Sequence, residues 1–79
     1  MTDGPRFLTL NDVAEVLNTS LAQVSALVQR GEIRALKIGG RGQWRIERDE
    51  LEAFIQRMYA ETEARLEQQR RTGQHLTDL

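Results

Sequence analysis

The chain has 79 residues and no cysteine, which limits it to one small core held by packing, with no disulfide framework and no thiolate metal site. No run of about 18 apolar residues occurs, and the start, MTDGPRFLTL, lacks the basic region and apolar stretch of a secretory signal, so membrane spanning and secretion are disfavoured and a soluble, cytoplasmic, bacterial-type protein is expected. Net charge is only −1, but Arg30, Arg34, Lys37, Arg41, Arg45 and Arg48 face just Glu32 and Glu47 in the middle of the chain, whereas from Asp49 onward acids outnumber bases seven to four.

Residues 1–6, with Gly4 and the only proline, are expected to form a flexible lead-in. In FLTLNDVAEVLN, Thr9 can cap a helix with Asp12 three residues on, and Leu8 and Val13 stand at the spacing of a hydrophobic staple. The helix is predicted from about Leu10 to Leu17. Leu10, Val13, Ala14 and Leu17 form its apolar stripe. Asn18 suits the left-handed conformation of a helix end.

Ser20-Leu21-Ala22-Gln23 repeats the capping signal almost at once, so a second helix should run to Arg30, bury Val24, Leu27 and Val28, and stop at Gly31. Two short helices joined this tightly make either a helix-turn-helix or a plain helical hairpin, and turn length alone does not separate them.

Beyond Gly31 the periodicity changes to strand-like alternation around IGGRGQWRI, which reads as a β-hairpin with arms at about Ala35–Ile38 and Gln43–Ile46 and a turn centred on Gly40, Arg41 and Gly42. Two strands alone are marginal and must pack on the helices. Trp44 and Ile46 are expected to anchor the hairpin inward, which turns Arg45 to the other face. From Glu47 the chain becomes strongly helical, and Leu51, Phe54, Ile55, Met58 and Tyr59 form a stripe. The stripe thins beyond Tyr59, so residues 59–79 are expected to be an exposed helical extension fraying to a disordered tail, following a domain at 7–58. Met58, Tyr59 and Leu66 are the candidate partner surface, with apolar spacing too sparse for a sustained coiled coil.

Leu8-Thr9, Asp12-Val13-Ala14, Leu17, Ser20, Val24, Leu27 to Gly31-Glu32-Ile33, Gly39 to Arg41, Trp44-Arg45-Ile46 and Asp49 to Leu51 occur in the order and with the gaps of a known pattern. The chain resembles the MerR/excisionase superfamily, and its length is similar to the short stand-alone members, phage excisionases and BldC-like regulators. The resemblance implies a mainly α fold with a small β-hairpin: a winged helix-turn-helix with a C-terminal helical extension. It also implies duplex DNA as the partner, bound as a transcriptional regulator or, alternatively, as an excisionase or architectural recombination factor, in the nucleoid. Side-by-side assembly of copies on DNA, or a homo-oligomer, is a further implication.

In that plan the second helix enters the major groove and IGGRGQWRI is the wing. Ser20, Gln23, Ser25 and Gln29 are then the candidate contacts of the helix. Arg30, Arg34, Lys37, Arg41, Gln43 and Arg45 are those of the flanks and wing. Superfamily members commonly carry Arg, Lys, Thr or Tyr on the exposed face of the second helix, where this chain has Leu21, Ala22, Ser25 and Ala26. Weak base reading by each protomer is therefore expected, with affinity drawn from the wing, from DNA shape or from several bound copies.

No catalytic, cofactor or metal site is expected. GGRG lacks the Lys-Ser/Thr ending and following helix of a phosphate-binding loop, and His75 stands in the polar tail without partners at ligand spacing. The rival to DNA binding is a protein-interaction module with the same fold, suggested by the acidic balance and the alanines of the second helix.

Overall fold

The computed structural model describes residues 4–72. Its first two helices form where the capping signals stand. Helix α1 (Leu10–Leu17) opens on Thr9, whose hydroxyl accepts the Asp12 N–H at 3.0 Å while the Asp12 carboxylate accepts the Thr9 N–H at 3.0 Å. Leu8 and Val13, the staple pair, both join the core. At the other end Asn18 is left-handed with φ 55°, which lets the N–H groups of Asn18 and Thr19 reach the carbonyls of Glu15 and Ala14. That closes the helix and releases the chain into the next start after Thr19.

Helix α2 (Leu21–Gln29) is capped by Ser20, whose Oγ accepts the Gln23 N–H at 3.0 Å. Only this half of the predicted capping box forms; the Gln23 side chain does not return a bond to Ser20. Gly31, at φ 78°, ends the helix as expected: Gly31 and Glu32 donate to the carbonyls of Val28 and Leu27. This left-handed turn delivers Ile33 into the core, where it is 1% exposed.

The sheet is larger than the predicted hairpin. Strand β2 (Leu36–Ile38) pairs antiparallel with β3 (Gln43–Glu47), and β3 also pairs antiparallel with β1 (Phe7–Leu8), giving the order β1-β3-β2. Leu8 stands opposite Ile46 and Phe7 opposite Glu47. A third strand removes one open edge of β3 and answers the marginal stability of a lone hairpin. The hairpin loop is Gly39-Gly40-Arg41-Gly42, closed by the Gly42 N–H on the Gly39 carbonyl at 3.2 Å. Gly39 and Gly42 have φ of 78° and 68°. A Gly42→Ala variant is expected to lose about 1–2 kcal/mol in urea unfolding, since a left-handed L-residue carries that steric cost.

Helix α3 (Arg48–Arg71) follows β3 without a break. Its first residue ties down the lead-in: the Arg48 N–H donates to the Arg6 carbonyl at 2.7 Å, and its guanidinium donates to the carbonyls of Gly4 and Pro5 at 3.1 Å. Gly4 to Arg6, expected to fray, are therefore anchored. From Tyr59 to Arg71 the helix is almost wholly exposed. The expected disordered tail beyond Thr72, including His75, lies outside the described residues, as do residues 1–3.

The core lies where the three helices meet the inner face of the sheet. Val13, Val24, Ile33 and Ile46 are its fully buried members, surrounded by Ala14, Leu27, Val28, Leu51 and Phe54. Trp44, Ala35, Leu10, Leu17, Ile55 and Met58 pack around it, partly buried. The result is a three-helix fold with a small antiparallel sheet, a winged helix-turn-helix with a C-terminal helix.

Candidate nucleic-acid interface

Burial of Val24, Leu27 and Val28 fixes the rotation of α2, because residues three and four apart share a face. Leu21, Ala22, Gln23 and Gln29 are exposed as a consequence, and so is the capping Ser20. Ser25 and Ala26 are half-buried, so Ser25 is less available than its expected outward position implies. No residue of α2 carries a charge.

The wing sorts its side chains by register. Lys37 is directly opposite Trp44, whereas Leu36 is opposite Arg45 and Ile38 opposite Gln43. Directly opposed residues share a face of a sheet. Lys37 and Trp44 therefore lie on the core side with Ile46, and Leu36, Ile38, Gln43 and Arg45 lie on the outer side. Lys37 Nζ sits 4.9 Å from the centroid of the Trp44 ring, a cation–π contact. Trp44 thus anchors the wing as expected. The two predicted wing cations Lys37 and Arg45 project from opposite faces.

The remaining cations divide into held and free. Arg30 Nε donates to Glu32 at 2.9 Å and Arg34 Nη1 to Glu50 at 3.0 Å. Arg45, part-buried, donates to the Trp44 carbonyl at 2.8 Å. It also shares a shallow cleft of about 110 Å³ with Arg34, Leu36, Glu47 and Glu50. Glu47 in turn accepts from Arg6 Nε at 2.8 Å. The pairs of Arg6 with Glu47 and of Arg34 with Glu50 join distant positions and are hidden in the sequence, and they neutralise the base of the wing. Arg41, at the wing tip, is exposed and has no ion pair or hydrogen-bonding partner among the described residues.

These surface pairs are weak. Arg34 keeps 83% of its side-chain surface exposed, and ion pairs of this kind are worth about 0–1 kcal/mol, so a phosphate can compete for the guanidinium. Among the described residues no polar or charged side chain is buried, no His, Cys, Asp and Glu cluster could hold a metal, and no helix is long and apolar enough to cross a membrane. The polar chemistry of the domain is at its surface.

Comparison with known proteins gives one finding: a family model described as a helix-turn-helix domain matches residues 7–59. No curated protein and no solved structure gives a significant match. The matched segment spans more than half of the chain, from β1 through the helix pair and wing into α3, and the chain is therefore a member of this family of DNA-binding helix-turn-helix domains.

Proposed function

We propose that this protein is a transcriptional regulator that binds duplex DNA with α2 in the major groove and the wing against the adjacent backbone. One observation carries the reading: the uncharged helix α2 is followed in the chain by a hairpin with no acid from Ile33 to Ile46 and four cations, Arg34, Lys37, Arg41 and Arg45, in the same stretch. A helix admits base edges in the groove, and cations beside it fix the register on phosphates. Gln23 and Gln29 supply amides for base edges or phosphates, and Ser20 sits at a helix N-terminus whose free N–H groups suit a phosphate. Lys37 and Arg45, on opposite faces of the ribbon, can reach phosphates of opposite strands when the wing enters a groove tip first. At physiological salt, charges more than about 8 Å away are screened, so distant acids of the chain do not cancel this local excess.

The same reading covers an excisionase-like or architectural role, and side-by-side copies on DNA would compensate for weak base reading by one protomer. The test is titration of a labelled mixed-sequence duplex at several salt concentrations. Arg41→Ala is expected to reduce the slope of log affinity against log salt by about 0.9, the contribution of one phosphate contact. Lys37→Ala with Arg45→Ala should reduce it by about twice that. Unchanged slopes in both variants would remove the wing from the interface.

A second reading, a protein-interaction module, is favoured by one observation: Leu17, Phe54, Ile55, Met58, Tyr59 and Thr62 line an apolar cleft of about 300 Å³ beside α3. Truncation after Met58 separates the two, for it removes part of that cleft and leaves α2 and the wing in place.

A further inference from the structure

Lys37 is the one lysine among the eleven lysines and arginines of the chain, and Trp44 is its one tryptophan. The fold puts them together. Lys37 Nζ stands over the Trp44 ring, directly across the hairpin. A Cβ built on Gly42 would lie 3.5 Å from Lys37 Cδ and 3.7 Å from its Cε and Nζ, so the aliphatic stem passes over the bare backbone of that glycine. Trp44 is half-buried and packed on the core, so the ring stands still and the lysine is held against it. The seat thus has two walls, an indole face and a glycine.

Neither wall cancels the charge. Arg34 is paired with Glu50, whereas Lys37 takes part in no ion pair among the described residues. An aromatic face attracts a cation without neutralising it. The residue type matters too. An arginine brings a planar fork that is already ordered, but a lysine is a compact point charge on a flexible four-carbon stem and loses more freedom for each hydrogen bond it makes. Holding that stem in place before binding removes most of the loss.

We propose that Trp44 is a positioning residue for DNA binding: with Gly42 it holds the Lys37 ammonium in a preformed place on the core-side face of the wing, ready for a phosphate. The inference rests on the DNA-binding reading above and gives the tryptophan a role in it without any contact to DNA of its own.

The test is a double-mutant cycle read by anisotropy with a labelled mixed-sequence duplex and the full chain at several salt concentrations. Trp44→Leu is expected to weaken binding roughly 3- to 10-fold, the effect of ordering one long side chain. The slope of log affinity against log salt should stay as in the parent, because the phosphate contacts are the same in number. Lys37→Met, which keeps the unbranched stem, should reduce the slope by about 0.9. In the Lys37→Met background Trp44→Leu should then change affinity by less than about twofold. Trp44→Phe, which keeps a ring face, should restore most of the binding lost in Trp44→Leu. A single lysine also gives a single signal when lysine alone is isotope-labelled: its ε-methylene protons should resonate upfield of their position in the urea-unfolded chain, shifted by the indole ring current. Should Trp44→Leu fail to fold, that signal decides the matter. An unshifted signal, parent-like affinity in Trp44→Leu, or a parent-like slope in Lys37→Met overturns the proposal while leaving DNA binding intact. An equal loss from Trp44→Leu with and without the Lys37 charge also overturns it and assigns Trp44 to the fold or to a contact of its own. A parent that binds no duplex at all refutes the DNA-binding reading itself.

Discussion

Replacing Ala22 and Gln23 together by glutamate is expected to weaken duplex binding by roughly 100-fold while leaving the fold as stable as before or more so, because carboxylates pressed towards phosphates cost several kcal/mol. The two effects have opposite signs for one reason: both residues lie in the first turn of α2. There the unpaired N–H groups and the helix dipole favour negative charge, by about 0.3–1 kcal/mol for each acid. Glutamate at position 23 also completes the Ser-x-x-Glu box of which only the Ser20 half now forms. Urea unfolding reads the effect on stability and fluorescence anisotropy with labelled duplex the effect on binding. A variant that binds as tightly as the parent would show that this turn does not face DNA. A protein-interaction module would register the stability gain alone.

Truncating Ile46 to alanine should have the largest effect on folding, a loss of about 2–5 kcal/mol. Ile46 is fully buried, at the inner face of the central strand and opposite Leu8 of β1. A domain of this size has on the order of 4–12 kcal/mol of stability in all, so the variant should show a sharply lowered urea midpoint or no folded baseline at 37 °C. Tyr59→Ala is the contrast. Tyr59 is 63% exposed, and its removal should move the midpoint little. Similar losses at the two positions would contradict the assignment of Ile46 to the core and Tyr59 to the surface.

What could be read from the sequence depended on how far apart the interacting groups lie along it. Thr9 with Asp12, Ser20 with Gln23, Asn18 and Gly31 act within one helical turn, and the boundaries they mark are where they are predicted, save that α2 ends at Gln29, one residue before Arg30. The same holds for the hairpin, where three glycines in one short loop set both arms. Strand β1 was missed because two residues carry no periodicity, and its partner on β3 is about forty positions away. The hold on the lead-in is invisible in the sequence for the same reason: it comes from Arg48, across the sheet. The pairing of Arg34 with Glu50 and of Arg6 with Glu47 likewise depends on tertiary approach, and it divides the basic middle into a neutralised base and an open tip. Alternation alone set Arg45 opposite to Trp44 in facing, but only the strand register shows that Lys37 joins Trp44 rather than Arg45. Ser25 is half-buried because the apolar face of α2 spreads wider than its three buried residues imply.

Binding of duplex DNA by α2 and the wing largely through phosphates is tested by the salt dependence of binding by the intact chain. With about three to five phosphate contacts from the wing and its flanks, log affinity for a mixed-sequence duplex should fall against log salt with a slope of roughly −3 to −4.5 between about 50 and 200 mM. No binding at the lower concentration, or binding whose strength does not change with salt, would contradict it.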